Sequence, residues 1–153
     1  MISKKIVLIG QAPSRSGNPL TPLTTKHGDG GRMQKLSGIT SRKEYLKTFE
    51  LRNLLNEWPG HNKNGKGDLF PDSLAKESAY SMRSSLRDHH VILLGRGVAK
   101  AFGMSRDEPL LRWTHKQSTT WAIFPHPSGV NIWWNRKTSV LTSSIFLREA
   151  IKA

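Results

Sequence analysis

The sequence predicts an α/β fold: a three-layer α/β/α sandwich with a short, mainly parallel central sheet of about four strands. Three apolar runs are bounded by turn residues and are mostly rich in β-branched or aromatic side chains, namely residues 6–9, 91–94 and 121–124. Such continuous runs are typical of parallel strands that are buried on both faces. Helical patterns separate the runs, and strands that alternate with helices indicate a parallel sheet covered by helices.

The helical patterns begin after Pro71 and Asp72, where four apolar residues share one face: Ala75, Ala79, Met82 and Leu86. Residues 96–102 predict a short helix that Gly103 ends, and residues 138–151 predict a last helix with apolar residues on neighbouring rows. Two stretches rich in Gly, Pro and polar residues, 14–31 and 59–67, predict long loops. The second stretch is equally compatible with a basic linker and with a loop that contacts DNA.

Length and charge limit the classes of function. The 153 residues, 36% of them hydrophobic, predict one domain over residues 1–153, and we expect a monomer. The chain has 24 Lys and Arg against 11 Asp and Glu, a formal charge of +13. This excess predicts a polyanionic partner, with nucleic acid first. The sequence has no amphipathic basic helix and no apolar span long enough for a bilayer, so we expect no membrane partner.

Cysteine is absent, which excludes disulfides and thiolate metal sites and is compatible with an intracellular location. The six histidines lack the spacing of metal ligands, so we expect neither a metal nor another cofactor. The apolar run at the N-terminus is too short for a signal peptide and is better explained as the first strand.

Two distant segments follow the first and the last apolar runs. Residues 10–15 read Gly-Gln-Ala-Pro-Ser-Arg, and residues 125–131 read Pro-His-Pro-Ser-Gly-Val-Asn. Because open parallel sheets collect their binding groups at the carboxyl ends of the strands, we expect these segments to meet. Together with residues 31–36, 49–55 and 93–95, in that order, they resemble the motifs of the uracil-DNA glycosylase superfamily. The resemblance covers most of the chain and is closest to the small, single-domain members.

The resemblance implies a monofunctional DNA glycosylase that flips uracil or a 5-substituted uracil into a pocket and hydrolyses the N-glycosidic bond. Breaking that bond leaves negative charge on the base, so a hydrogen-bond donor beside the base carbonyl lowers the barrier. In the family the histidine that matches His126 donates to the base O2. Asn53 is the candidate base reader, because its amide can pair with O4 and N3–H. An asparagine that merely ends a strand is the alternative, and Asn56 is close enough to confuse the assignment.

The chain departs from the best-known members at two positions of the first motif, whose residues Gln11, Ala12 and Pro13 are expected to form the pocket wall. Ala12 stands where those members carry Asp or Asn to position the attacking water. Asp29, Gln11 or Asn18 is then expected to orient water, and of these only Asp29 can act as a base. Ser14 stands where strictly uracil-specific enzymes carry tyrosine, which opens space beside C5 unless Arg15 or another loop side chain closes it. The four cysteines of the iron–sulfur branch are also missing.

The segment after His126 predicts the DNA contact. In the family the corresponding loop wedges into the duplex, and Val130 or Ile132 is the expected wedge. At least one of Trp133 and Trp134 is expected in the core. The remaining predicted DNA contacts are phosphate donors and nearby polar or basic residues: Ser128, Gly129, Asn131, Arg15, Arg32, Arg136 and Lys137.

A second reading is a non-catalytic DNA-binding protein of the same fold that recognises a modified base, and Ala12 is its strongest support. A third, an enzyme acting on free nucleotides, is disfavoured by the charge of +13.

Overall fold

The computed structural model describes residues 5–15, 23–24, 28–63, 68–128 and 131–152. In these residues the chain forms an α/β fold with five strands: β1 (Ile6–Gly10), β2 (Phe49–Asn53), β3 (His90–Leu94), β4 (Thr114–Lys116) and β5 (Thr119–Phe124). The helices are α1 (Gly28–Ser37), α2 (Arg42–Thr48), α3 (Asp72–Met82), α4 (Arg96–Ala101) and α5 (Lys137–Lys152). Two 3-10 helices cover Arg83–Leu86 and Ile132–Asn135.

The strands form one mixed sheet in the order β2-β1-β3-β5-β4. The first four of these are parallel to one another, and β4 is antiparallel to β5 at the edge. The prediction of about four mainly parallel strands is therefore right for the parallel part and omits the antiparallel edge strand. β4 has only three residues, and none of them is buried, so no apolar run marks it in the sequence.

Helices cover both faces of the sheet, in agreement with a sandwich. Alternate residues of a strand point to opposite faces, so Val7 and Ile9 of β1 pack in a cluster with α3 and α4, through side chains such as Ala75 and Val98. Leu8 of the same strand packs in a second cluster on the other face. That cluster takes its helical residues from α1, α2 and α5, among them Met33, Tyr45 and Leu147.

The predicted helices are confirmed with small changes of boundary. α3 continues into the 3-10 helix Arg83–Leu86, α4 is followed by Gly103 with a φ of +84°, and α5 is slightly longer than predicted. Leu147 of α5 is fully buried, while the neighbouring row with Leu141 and Ile145 is exposed. No helix in the described ranges has both the length and the apolar character that crossing a membrane requires.

The two predicted loops need correction. α1 begins at Gly28, so residues 28–31 are helical, whereas the sequence analysis extended the loop to residue 31. Buried Met33 and Leu36 anchor this helix, and packing outweighs the low helix propensity of its glycines. In the second stretch, His61 and Asp68 form an antiparallel bridge, so its described part contains paired backbone. Residues 16–22, 25–27 and 64–67 lie outside the described residues.

Candidate functional site

The carboxyl ends of the parallel strands surround a cavity of about 460 Å³. Apart from Asn18, which lies outside the described residues, it brings together the residues predicted to have a catalytic or base-binding role: Gln11, Ala12, Pro13, Ser14, Asp29, Asn53 and His126. Ser128, a predicted phosphate donor, also lines the cavity. This position agrees with the general rule that open α/β sheets bind ligands beyond the carboxyl ends of their strands.

His126 follows β5 and packs against the end of β3, where Gly95 has a φ of +102°. A Cβ atom at Gly95 would lie 3.1 Å from His126 Cδ2 and 3.2 Å from His126 Cβ. Such contacts are tighter than most real ones, so a glycine at this position lets the imidazole sit directly against the strand end. Positive φ is also a conformation that glycine adopts at little cost.

The hydrogen bonds of His126 define its tautomer. The backbone N–H of Ser128 donates to Nδ1 over 3.1 Å, so Nδ1 acts as an acceptor. Burial lowers the pKa of His126, and the negative charge of Asp29 only partly opposes this shift. The imidazole is therefore neutral at physiological pH, and its single proton is on Nε2. His126 consequently offers one N–H donor that does not depend on a positive charge.

The segment after His126 is held by side chains that return to the His126 carbonyl oxygen. Asn131 Nδ2 and Trp134 Nε1 each donate to that oxygen over 2.9 Å. Asn131 Oδ1 accepts from the backbone N–H of Trp133 at the start of the 3-10 helix Ile132–Asn135. Asn131, predicted as a DNA contact, thus uses both ends of its amide to shape the loop.

Both tryptophans of this helix are only partly buried, which corrects the expectation that at least one is in the core. Trp134 packs against the core next to Phe124, with their ring centroids 6.2 Å apart. Trp133 Nε1 donates to Ser143 Oγ on α5 over 2.9 Å. The polar indole N–H groups need partners at the surface of the core, so neither ring moves fully inside.

Asn53 is the last residue of β2 and is buried beside the end of β1. A Cβ atom at Gly10 would lie 2.7 Å from Asn53 Oδ1, so the bare backbone of Gly10 makes room for this amide. Beyond the strands, Leu54 N–H donates to the carbonyl of Gly10, which extends the pairing and fixes the end of β2. Asn56 is exposed and lines a different groove, so of these two asparagines it is Asn53 that lines the cavity.

Asp29 reaches the cavity from the first turn of α1. Burial raises the pKa of its carboxyl group, while attraction to His126 and then to Arg32 opposes the rise. The guanidinium of Arg32 lies 5.0 Å from the centre of the Trp134 ring, the same ring that bonds the His126 carbonyl. Asp29, Arg32 and His126 therefore belong to one connected cluster, in which Asp29 is the acidic side chain.

The side chains of Gln11 and Arg15 in the first motif take different directions. The Gln11 amide extends toward α4, where its Nε2 atom would lie 3.4 Å from a Cβ atom at Gly97. Arg15 is exposed, and its guanidinium stacks 5.6 Å from the centre of the Trp58 ring. Arg15 is thus turned away from the cavity, and the space beside Ser14 is not closed by this side chain.

The sequence analysis missed part of the cavity wall, which comes from the segment around the His61–Asp68 bridge. Asn62, Asp68 and Leu69 line the cavity, together with Gly10, Leu23, Leu94 and Pro127. Asn62 Nδ2 donates to the backbone carbonyl of Asp68 over 3.2 Å, and Leu69 N–H donates to the carbonyl of Gly60 over 2.7 Å. The loop was recognised in the sequence, but its spacing gives no sign of which residues turn toward the strands.

The predicted DNA contacts are only partly described. Ile132 is 80% exposed, and Arg136 and Lys137 beside it are exposed as well. Gly129, Val130 and Asn18 lie outside the described residues. Arg32 is directed to Trp134, as given above. Within the described ranges, no three His, Asp or Glu side chains group as metal ligands.

A comparison with protein-family models and with curated protein sequences finds no match to this chain.

Proposed function

We propose that this protein is a monofunctional DNA glycosylase that hydrolyses the N-glycosidic bond of uracil or a 5-substituted uracil. The observation that carries the proposal is the cavity in which neutral His126, Asn53 and Asp29 meet. These groups supply a donor without charge, an amide that combines a donor and an acceptor, and a carboxylate. A flipped pyrimidine needs this combination, because its Watson–Crick edge must be read and its departure must be assisted.

The proposed reaction begins with the base seated against Asn53, which exchanges hydrogen bonds with O4 and N3–H. As the bond between N1 and C1′ breaks, its electron pair moves onto the base, and His126 Nε2–H donates to the increasingly negative O2. The sugar becomes oxocarbenium-like, and the Asp29 carboxylate stabilises its positive charge. A water oxygen then bonds to C1′, and its proton passes to Asp29.

Hydrolysis is favoured over a lyase reaction by the composition of the cavity. Neither lysine nor arginine is among the described residues that line it. A lyase step needs an amine that forms a Schiff base with the sugar. Water is therefore the proposed nucleophile, and the product is an abasic site in an intact strand.

DNA binding is proposed for the surface around the cavity. The charge of +13 attracts the phosphate backbone, and exposed Arg136 and Lys137 lie beside exposed Ile132. Unstacking a base costs a few kcal/mol, which an inserted apolar side chain helps to offset. Ile132 is the described side chain that suits this wedge, since it projects from a helix that Asn131 and Trp134 tie to His126.

The test uses labelled duplexes that contain uracil, thymine opposite guanine, or 5-hydroxymethyluracil. After incubation and alkali treatment, we expect strand breaks at the modified position with the wild-type protein. We expect His126→Ala to lower the excision rate by roughly 10²–10³-fold, the usual cost of losing one donor to developing negative charge. Equal cleavage by His126→Ala would contradict the proposed mechanism.

The presence of Ala12 favours a second candidate function, a protein that binds a modified base without excising it. In that case no duplex is cut, and binding still weakens steeply with salt because counterions are released from DNA. The same duplexes in a salt-dependent binding assay separate the two functions.

A further inference from the structure

The cavity has the opposite electrical character to the protein around it. The chain has 24 Lys and Arg, yet the described residues that line the cavity include two carboxylates, Asp29 and Asp68, and no Lys or Arg. Burial disfavours the charged forms of both His126 and Asp29, because it lowers the pKa of the first and raises the pKa of the second. The phosphate backbone is therefore attracted to the outer surface, and the group that enters the cavity is neutral or positively charged.

The proposed reaction gives Asp29 a role but leaves Asp68 without one. Asp68 comes from the part of the cavity wall that Asn62 and Leu69 also form, and Asp68 Oδ1 lies 3.2 Å from His61 Nδ1. A carboxylate can accept about four hydrogen bonds. The contact with His61 therefore leaves Asp68 able to accept further donors from the cavity.

A chain of contacts links this wall to the segment that carries Ser14. Arg15, the neighbour of Ser14, stacks on Trp58, and the Trp58 ring meets the His61 ring edge to face at 5.1 Å. His61 in turn pairs with Asp68. Ser14 and Asp68 both line the same cavity, so the space left by the small side chain of Ser14 belongs to a cavity whose wall carries an acceptor.

We propose that Asp68 and Asn62 form a subsite for a substituent on C5 of the flipped base, and that this subsite prefers an ammonium group. The orientation of the base, with C5 toward Ser14, rests on the proposed function. The cavity volume of about 460 Å³ falls in the range of roughly 300–1,000 Å³ that holds drug-sized ligands, so it has room for more than a bare pyrimidine. A hydroxyl donor is accepted more weakly than an ammonium, because charge-assisted hydrogen bonds are stronger.

The experiment uses duplexes with uracil, thymine, 5-hydroxymethyluracil or 5-aminomethyluracil at one position. Equilibrium binding and single-turnover excision are both measured for each duplex. We expect 5-aminomethyluracil to be preferred to thymine by about three- to tenfold, a modest factor because the Asp68 side chain is 43% exposed. Thymine is the informative comparison, since its methyl group fills similar space without a donor.

Two substitutions test whether Asp68 is the source of the preference. Asp68→Asn is expected to bring the ratio of 5-aminomethyluracil to thymine close to one. Asp68→Lys is expected to reverse the charge preference, so that 5-carboxyuracil is bound more tightly than 5-aminomethyluracil. Asp72→Asn is the matched control, because Asp72 is an exposed carboxylate on α3 that pairs with Lys100 outside the cavity. Thermal melting verifies that each variant is folded.

The outcomes separate this proposal from the glycosylase proposal. Excision of all four bases with no preference, or a preference that survives in Asp68→Asn, overturns the subsite and leaves the glycosylase intact. A binding preference that Asp68→Asn removes, with no excision of any base, supports the subsite and overturns the glycosylase. Equal loss of the preference in Asp72→Asn also overturns the subsite, because the effect is then a general one of surface charge.

Discussion

Gly95→Ala is expected to disturb His126 from the end of the neighbouring strand β3, without changing any group that takes part in the proposed chemistry. Gly95 has a φ of +102° and a ψ of 159°, a combination essentially restricted to glycine that costs another residue about 1–2 kcal/mol. The added methyl carbon would also lie 3.1 Å from His126 Cδ2 and 3.2 Å from His126 Cβ. Forcing an extra carbon into a packed region costs about 1–3 kcal/mol more.

These two contributions predict that Gly95→Ala lowers the free energy of unfolding by about 2–5 kcal/mol. For a domain of this size the melting temperature falls by roughly 2–4 °C per kcal/mol, which gives a decrease of about 4–20 °C. Relief of the close contact moves the imidazole by a few tenths of an ångström. Because a misplacement of 1 Å can cost about 10²-fold in rate, we expect excision to fall by roughly tenfold.

Gly103→Ala is the matched control for the backbone strain. Gly103 has a φ of +84°, and the nearest atom to its added Cβ would be Arg83 Nη2 at 3.7 Å, an ordinary contact distance. It is therefore expected to lose only about 1–2 kcal/mol and to keep full excision. Both variants are melted and assayed at a temperature where each is folded. Equal destabilisation of the two, together with full excision by Gly95→Ala, would refute the inference that Gly95 positions His126.

Three further predictions address Asp29, His126 and Ile132. Burial raises the pKa of Asp29 in the folded state, so its ionisation above the ordinary pKa of 3.8 lowers the free energy of unfolding. Asp29→Asn is therefore expected to raise the melting temperature at pH 7 but not below about pH 3.8. The same variant is expected to slow excision by roughly 10²–10⁴-fold. His126→Gln removes the attraction that lowers the pKa of Asp29, so the carboxyl ¹³C resonance of Asp29 is expected to titrate at higher pH. An unchanged titration would show that the two side chains do not interact. The Ile132 side chain is 80% exposed, so Ile132→Ala is expected to change the free energy of unfolding by less than about 0.5 kcal/mol and yet to weaken excision from duplex DNA. Leu141 on α5 is 60% exposed, and Leu141→Ala is the control that is expected to leave excision unchanged.

The parts of the fold that the sequence predicts are those in which burial is continuous. β1, β3 and β5 lie inside the sheet and are buried over nearly their whole length, so each appears as an apolar run. β2 lies at an edge and alternates buried with half-buried residues, which makes it less distinct in the sequence. The glycines of α1 lower its helix propensity, so the sequence does not indicate this helix. Tertiary packing of Met33 and Leu36 determines its structure.

The candidate site likewise has residues that the sequence predicts and residues whose positions depend on tertiary contacts. Residues that directly follow a strand, such as Gln11 and His126, are predictable because the sheet fixes where strand ends meet. The choice between Asn53 and Asn56 needed the structure, since only the turn after β2 decides which amide faces inward. Asp68 was missed because its position depends on the backbone pairing of the segment to which it belongs and on the contact with His61.

The structure also changes the meaning of Ala12. In the sequence alone, Ala12 counts against catalysis, because the resemblance leads one to expect Asp or Asn at this position. In the folded chain Asp29 enters the same cavity from α1 and interacts with His126, so the cavity still contains a carboxylate near the proposed donor. Burial disfavours the ionised form of Asp29, and a protein gains no stability from holding a carboxylate there. Groups kept in a cavity at a cost to stability are characteristic of functional sites, so the position of Asp29 supports a functional cavity under either proposal.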